Sequence, residues 1–148
     1  MLKKLTINKY NETIYYDKLD NGLEVYMWPQ TNVSNFYATL SVKYGSIDTE
    51  FKIGNETQKV SKGIAHFLEH VKFNEGPNKT AHDYYNKLGS SINAFTTFDY
   101  TAYEVLASAN LKENITHLLD YVETPYFTKE LIEKERKIIL NEVKMGKN

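Results

Sequence analysis

A helix that turns two glutamates toward the protein interior limits the folds open to its chain, because something must answer them. The closing segment TKELIEKERKIILNEVKMG reads as such a helix, with Thr128 as a good N-cap and a run of about five turns. Positions 131, 135, 138, 142 and 145 advance by three or four residues and share one face. Leu131, Ile138 and Met145, with Ile139 beside them, make that face apolar, and Glu135 and Glu142 interrupt it. Glu130 and Glu133 lie on the wet face, where glutamates belong. Glu135 and Glu142 differ by only about 20° around the helix axis. An interior carboxylate is costly unless a cation or a metal meets it. Lysines at the edge of a packed face would serve. So would a metal, and another stretch of the chain favours the metal.

That stretch is HFLEH, His66 to His70, which holds two of the four histidines. In a helix, His70 sits about 40° round the axis from His66, and Glu69 about 60° to the other side. All three side chains project into one patch. Two converging imidazoles can grip zinc, and a neighbouring carboxylate can take a proton from what the zinc holds. Two surface histidines and a solvated glutamate would give the same string, so the motif alone is only suggestive. The paired interior glutamates further on tip the balance to a metal site. Catalytic zinc usually has three protein ligands and one open position. One of Glu135 and Glu142 can supply the third ligand, and the other can support a histidine or the general base. The chain has no cysteine, so a metal must be held by His, Asp or Glu. His82 and His117 stand alone on predicted helices and read as surface or boundary residues.

At 148 residues the chain reads as a single zinc-binding domain, residues 1–148, large enough for a real core. A net charge of −1, with lysines interspersed among acids, argues against a nucleic-acid partner. The start MLKKLTINKYNETIYY lacks the apolar stretch of a signal peptide. No apolar run approaches the roughly 20 residues of a membrane helix, so no membrane partner and a cytoplasmic location are expected. Asp20-Asn21-Gly22 between YYDKL and LEVYM predicts a hairpin with a type I′ turn. FYATLSVKYGS alternates as a half-buried strand, and DTEFKIGNETQKV reads as a loop. Ser61 is the expected N-cap of a helix through HFLEH that stops near Glu75-Gly76-Pro77. Thr80 caps a second helix that ends at Gly89. SSINAFTTF and TAYEVLAS read as strands, and LKENITHLLDYVE as a helix with a stripe of Leu111, Ile115, Leu118, Leu119 and Val122. The order ββααββαα predicts an α+β fold, a largely antiparallel sheet with helices packed on one face.

HFLEH is the inverted zinc signature of the inverzincins, and its surroundings resemble the pitrilysin/insulysin family of zinc metallopeptidases. That family includes mitochondrial processing peptidase and bacterial processing-type peptidases. The resemblance runs through LDNGLEVY, YGSID, GIAHFLEHVKF, KLGSSINAFTTFDYTAYE and EKERKIILNEV, nearly the whole chain. It implies one Zn2+ held by His66, His70 and Glu142, with Glu69 as general base. Glu135 would be the acid that supports the site from behind. The strand Ser91–Thr96 resembles the edge strand on which peptide substrates are added, with Asn93, Ala94 and Phe95 as contacts and Asn93 near the scissile bond. The implied substrate is an extended or unfolded polypeptide. Family members are far longer, so the resemblance also implies a homologous second half or partner subunit, with this chain as the N-terminal catalytic part. Two rival expectations remain: a non-catalytic partner subunit, and a peptide-binding module with a structural zinc.

Overall fold

The computed structural model describes residues 2–7, 9 and 12–146. Two units divide the chain, residues 1–34 and 35–148. The first is an antiparallel sheet of β1 (Lys3–Ile7), β2 (Glu12–Lys18) and β3 (Glu24–Met27), in that order. The hairpin between β2 and β3 forms where the sequence places it, but its turn is not type I′. That type needs positive φ at both central residues. Here only Gly22 turns left-handed, at φ +92°. Leu19 N–H donates to the Leu23 carbonyl, and Gly22 N–H donates to that of Leu19. This is a type I turn closed by a glycine bulge. The Asn21 side chain accepts the Leu23 N–H at 3.1 Å, and Asn21 itself keeps a negative φ.

The second unit runs β4 (Phe36–Val42), β5 (Glu50–Ile53), β6 (Glu56–Lys59), α1 (Ile64–Lys72), β7 (Asn74–Gly76), β8 (Lys79–Thr80), α2 (Ala81–Leu88), β9 (Ser91–Thr96), β10 (Thr101–Ala107), α3 (Leu111–Glu123) and α4 (Lys129–Met145). Its main sheet has the order β4-β10-β9, all antiparallel. The α+β class is therefore correct, with more strands than expected. The supposed loop at residues 48–60 contains the hairpin β5–β6, closed by Gly54-Asn55 with positive φ at Gly54. Its polar composition hid it, because its strands bury almost nothing. β7 and β8 form a second small hairpin.

Alternation along the three strands makes one sheet face a core. Phe36, Ala38 and Leu40 of β4 join Ile92 of β9 and Tyr103, Val105 and Ala107 of β10. Ala81 and Tyr85 of α2 and Leu118 and Tyr121 of α3 cover them. Thr80 caps α2 as expected, in a reciprocal pair with Asp83, and Gly89 ends it at φ +68°. The α3 face is rotated from its expected stripe: Asn114, His117, Leu118 and Tyr121 are buried and Leu111 is exposed. Asn114 can be buried because its amide donates to the carbonyls of Ala109 and Asn110. Among the described residues no helix is long and apolar enough to cross a membrane.

Candidate metal centre

α1 packs against α4 on one side and β9 and β10 on the other. It does not start at Ser61. Gly63, at φ +83°, turns the chain sharply into the helix with no side-chain cap, and Ile64 is the first helical residue. The helix also stops earlier than expected, at Lys72, where β7 begins to pair. Ala65, Glu69 and Val71 make its buried face, so Glu69 points into the protein while His66 and His70 remain half-exposed.

The two histidine Nε2 atoms lie 3.1 Å apart. Glu142 Oε2 of α4 stands 3.7 Å from that of His66 and 3.6 Å from that of His70. Zinc bonds of about 2.0–2.1 Å in tetrahedral geometry would set neighbouring ligand atoms about 3.4 Å apart. The observed triangle brackets that spacing. Two imidazole nitrogens and one carboxylate oxygen are also a donor set that zinc accepts. Among the described residues this is the one group of three such side chains whose ligand atoms lie within 4.8 Å of one another.

Glu135 lies on the same face of α4, buried, and its Oε2 is 3.7 Å from His70 Nδ1. That nitrogen is the one turned away from Glu142, so of the two supporting positions open to Glu135 the fold puts it behind a histidine. At this distance it is an electrostatic neighbour, not a hydrogen bond. Lys134 Nζ, 3.6 Å from Oε1, offsets part of its charge. The apolar stripe of α4 frays beyond these residues, for Ile138 and Met145 are exposed.

Glu69 is 6% exposed, yet its carboxylate is answered: Thr96 Oγ1 donates to Oε2 at 2.6 Å. Burial, together with the charge of Glu69, pushes the Tyr103 phenol up to about 12. β9 ends the main sheet, and its outer edge has no strand partner among the described residues. Asn93 and Phe95 are exposed on the sheet face away from the helices, and Ala94 shares the inner face with Ile92 and Thr96. Sequence reasoning passed over Thr96, although the alternation in SINAFT already places it on the helix side. It also misjudged His117, which is buried against Glu75. His82 is exposed, as expected, and stacks on Phe73 at 4.8 Å.

Residues 30–147 match the insulinase family of peptidases, M16, and the chain belongs to that family. The uncharacterized zinc protease YmfH of Bacillus subtilis is 42% identical over 147 residues, 98% of this chain and 34% of its own length. An uncharacterized zinc protease of Rickettsia felis is 30% identical over 136 residues, 89% of this chain and 31% of the relative. A crystal structure assigned as an M16-like peptidase from Alicyclobacillus acidocaldarius superposes with a TM-score of 0.84 at 35% identity, over 90% of this chain and 31% of that one. Pitrilysin shares the fold, with a TM-score of 0.72 at 23% identity, over 98% of this chain and 16% of its own. The chain thus spans about a third of the length of YmfH.

Proposed function

We propose that this chain is the zinc-binding, bond-cleaving part of a metalloendopeptidase that hydrolyses extended or unfolded polypeptides. The observation that carries this is the meeting of His66, His70 and Glu142 from two separate helices, with a buried and hydrogen-bonded Glu69 one residue from His70. One zinc ion bound there would supply Lewis acidity, acidifying a water and polarising a scissile carbonyl. His66 and His70 would present Nε2 to it, and Glu135 would orient the His70 ring from the Nδ1 side. Glu69 would accept the proton of the attacking water on its free Oε1 and then deliver it to the leaving amine. The open edge of β9 at Asn93, Ala94 and Phe95 offers main-chain hydrogen bonds to an extended peptide, a mode that tolerates many sequences. A homologous second half or partner subunit would complete the substrate chamber, which accords with the fraction of its relatives this chain spans.

The test is metal content by atomic absorption, followed by cleavage of a quenched unstructured peptide by wild type and Glu69→Gln. One zinc per chain and a fall in kcat of about a hundredfold or more in the variant are expected. A variant as active as wild type removes Glu69 from the mechanism. Zinc binding without cleavage favours a non-catalytic partner subunit, and a chain without zinc overturns the whole reading.

A further inference from the structure

A buried carboxylate that must move protons needs one oxygen held and the other left free. The partners of Glu69 can be counted donor by donor. Thr96 Oγ1 lies 2.6 Å from Glu69 Oε2, the short range typical of a hydroxyl donating to an ionised carboxylate. Thr96 Oγ1 is also 3.3 Å from Thr101 Oγ1, its direct cross-strand partner in the β9–β10 register. Thr101 is 5% exposed, and its hydroxyl donates to the Tyr44 carbonyl at 2.9 Å. A carbonyl can only accept, so the single hydroxyl proton of Thr101 is committed there. Its oxygen is left as an acceptor, and the Thr96 proton is free for the nearer, charged Glu69.

The strand end that carries Thr96 is tied to the loop after β4. Ser46 N–H donates to the Thr97 carbonyl at 2.9 Å and Ile47 N–H to that of Phe98 at 3.0 Å, clamping residues 44–48 onto the β9–β10 turn. Gly45 permits the approach: a Cβ there would stand 2.4 Å from Asp99 N and Phe98 O. The Tyr44 carbonyl is therefore a fixed anchor on the sheet.

We propose that Thr96 is a positioning residue for the cleavage reaction: its hydroxyl, at the strand end tied down by residues 46 and 47, donates to Glu69 Oε2 and leaves Oε1 to exchange protons with substrate and water. The proposal rests on the peptidase reading above for its purpose, and on the hydroxyl–carboxylate contact for its existence.

Two measurements test it. In zinc-free protein, a double-mutant cycle of Thr96→Val and Glu69→Ala, read by denaturant unfolding, should show a coupling of about tenfold in the unfolding constant. With zinc, Thr96→Val should lower kcat about tenfold or more with KM within about twofold, and Thr96→Ser should recover most of the loss. Zinc affinity by calorimetric titration should stay within about threefold in both variants, since neither touches a ligand. A coupling below about twofold, or a serine variant as impaired as the valine one, overturns the proposal. Coupling in a protein that cleaves nothing would leave the hold on Glu69 standing and count against the peptidase reading instead.

Discussion

Among the described residues of the second unit, histidine meets carboxylate in two places, and they are built in opposite ways. At the α1–α4 contact, two imidazole nitrogens and a Glu142 oxygen face one another at 3.1–3.7 Å, on side chains that are 20–41% exposed. Between β7 and α3, His117 Nε2 meets Glu75 Oε1 at 2.8 Å, with both side chains only 10–11% exposed. The His117 ring lies flat on Tyr84, centroids 3.6 Å apart at 6°, with Tyr121 stacked at 5.8 Å and Tyr85 edge-on. Burial pushes the phenols of Tyr85 and Tyr121 up, as a dry aromatic nest should. At 2.8 Å His117 Nε2 and Glu75 Oε1 are within hydrogen-bond reach, though the ring is poorly aligned with the carboxylate. A histidine acts as a ligand where its free nitrogen meets other donors at an accessible surface. It acts as core where its ring faces are covered and only one carboxylate is in reach.

The largest expected effect would break this contrast if it failed. Glu142→Ala should reduce zinc affinity by more than Glu135→Ala, for which about a 10–100-fold loss is expected because it acts through His70. His117→Ala should change zinc affinity by no more than about twofold, since the aromatic nest offers no third donor. Calorimetric titration of the three variants decides the order. Glu135→Ala as the more damaging of the two would mean that the direct and supporting carboxylates have been exchanged.

Stability should show the reverse pattern, on a smaller scale. His117→Ala removes a stacked ring and leaves the nearly buried Glu75 with only Lys79, 3.7 Å from Oε1, as a charged neighbour, a loss of about 2 kcal/mol. Glu75→Gln combined with His117→Phe should recover most of it, because the ring stacking is kept and the charge is gone. Denaturant unfolding of zinc-free protein measures both. A His117→Ala protein as stable as wild type would make the nest a surface feature after all.

The contrast also explains what could be read before any coordinates. The meeting of His66, His70 and Glu142 was legible because helical spacing is rigid: i, i+3 and i+4 in HFLEH and the i, i+7 pair Glu135–Glu142 fix which side chains share a face. The α2 cap at Thr80 and the alternation of β4 were legible for the same local reason. His117 was not, since nothing within a turn of it on α3 announces a carboxylate arriving from β7. The hydrogen bond of Thr96 to Glu69 was not legible because its partner belongs to another element. The β5–β6 hairpin was missed because two exposed strands carry no apolar period, and the start of α1 because Gly63 bends the chain where Ser61 looked the better cap.

The smallest effect sharpens the comparison most, since it separates buried from accessible histidine by their protons. Burial lowers the His117 pKa, and the nearby Glu75 charge only partly opposes that shift. In the unfolded chain the group titrates near the ordinary histidine value of about 6.5. As pH falls through that value, the unfolded state takes up a proton before the folded state does. The unfolded state then binds more protons, so stability must fall with falling pH across this window and level off only below the folded pKa. His117→Phe keeps an aromatic ring in the nest and removes the titration. In zinc-free protein the wild-type unfolding free energy should therefore drop more steeply between about pH 7 and pH 5 than that of His117→Phe, the other three histidines being common to both. Equal slopes would show that Glu75 compensates the burial fully. A shallower wild-type slope would make His117 a cation in the folded protein, paired with Glu75 as an ion.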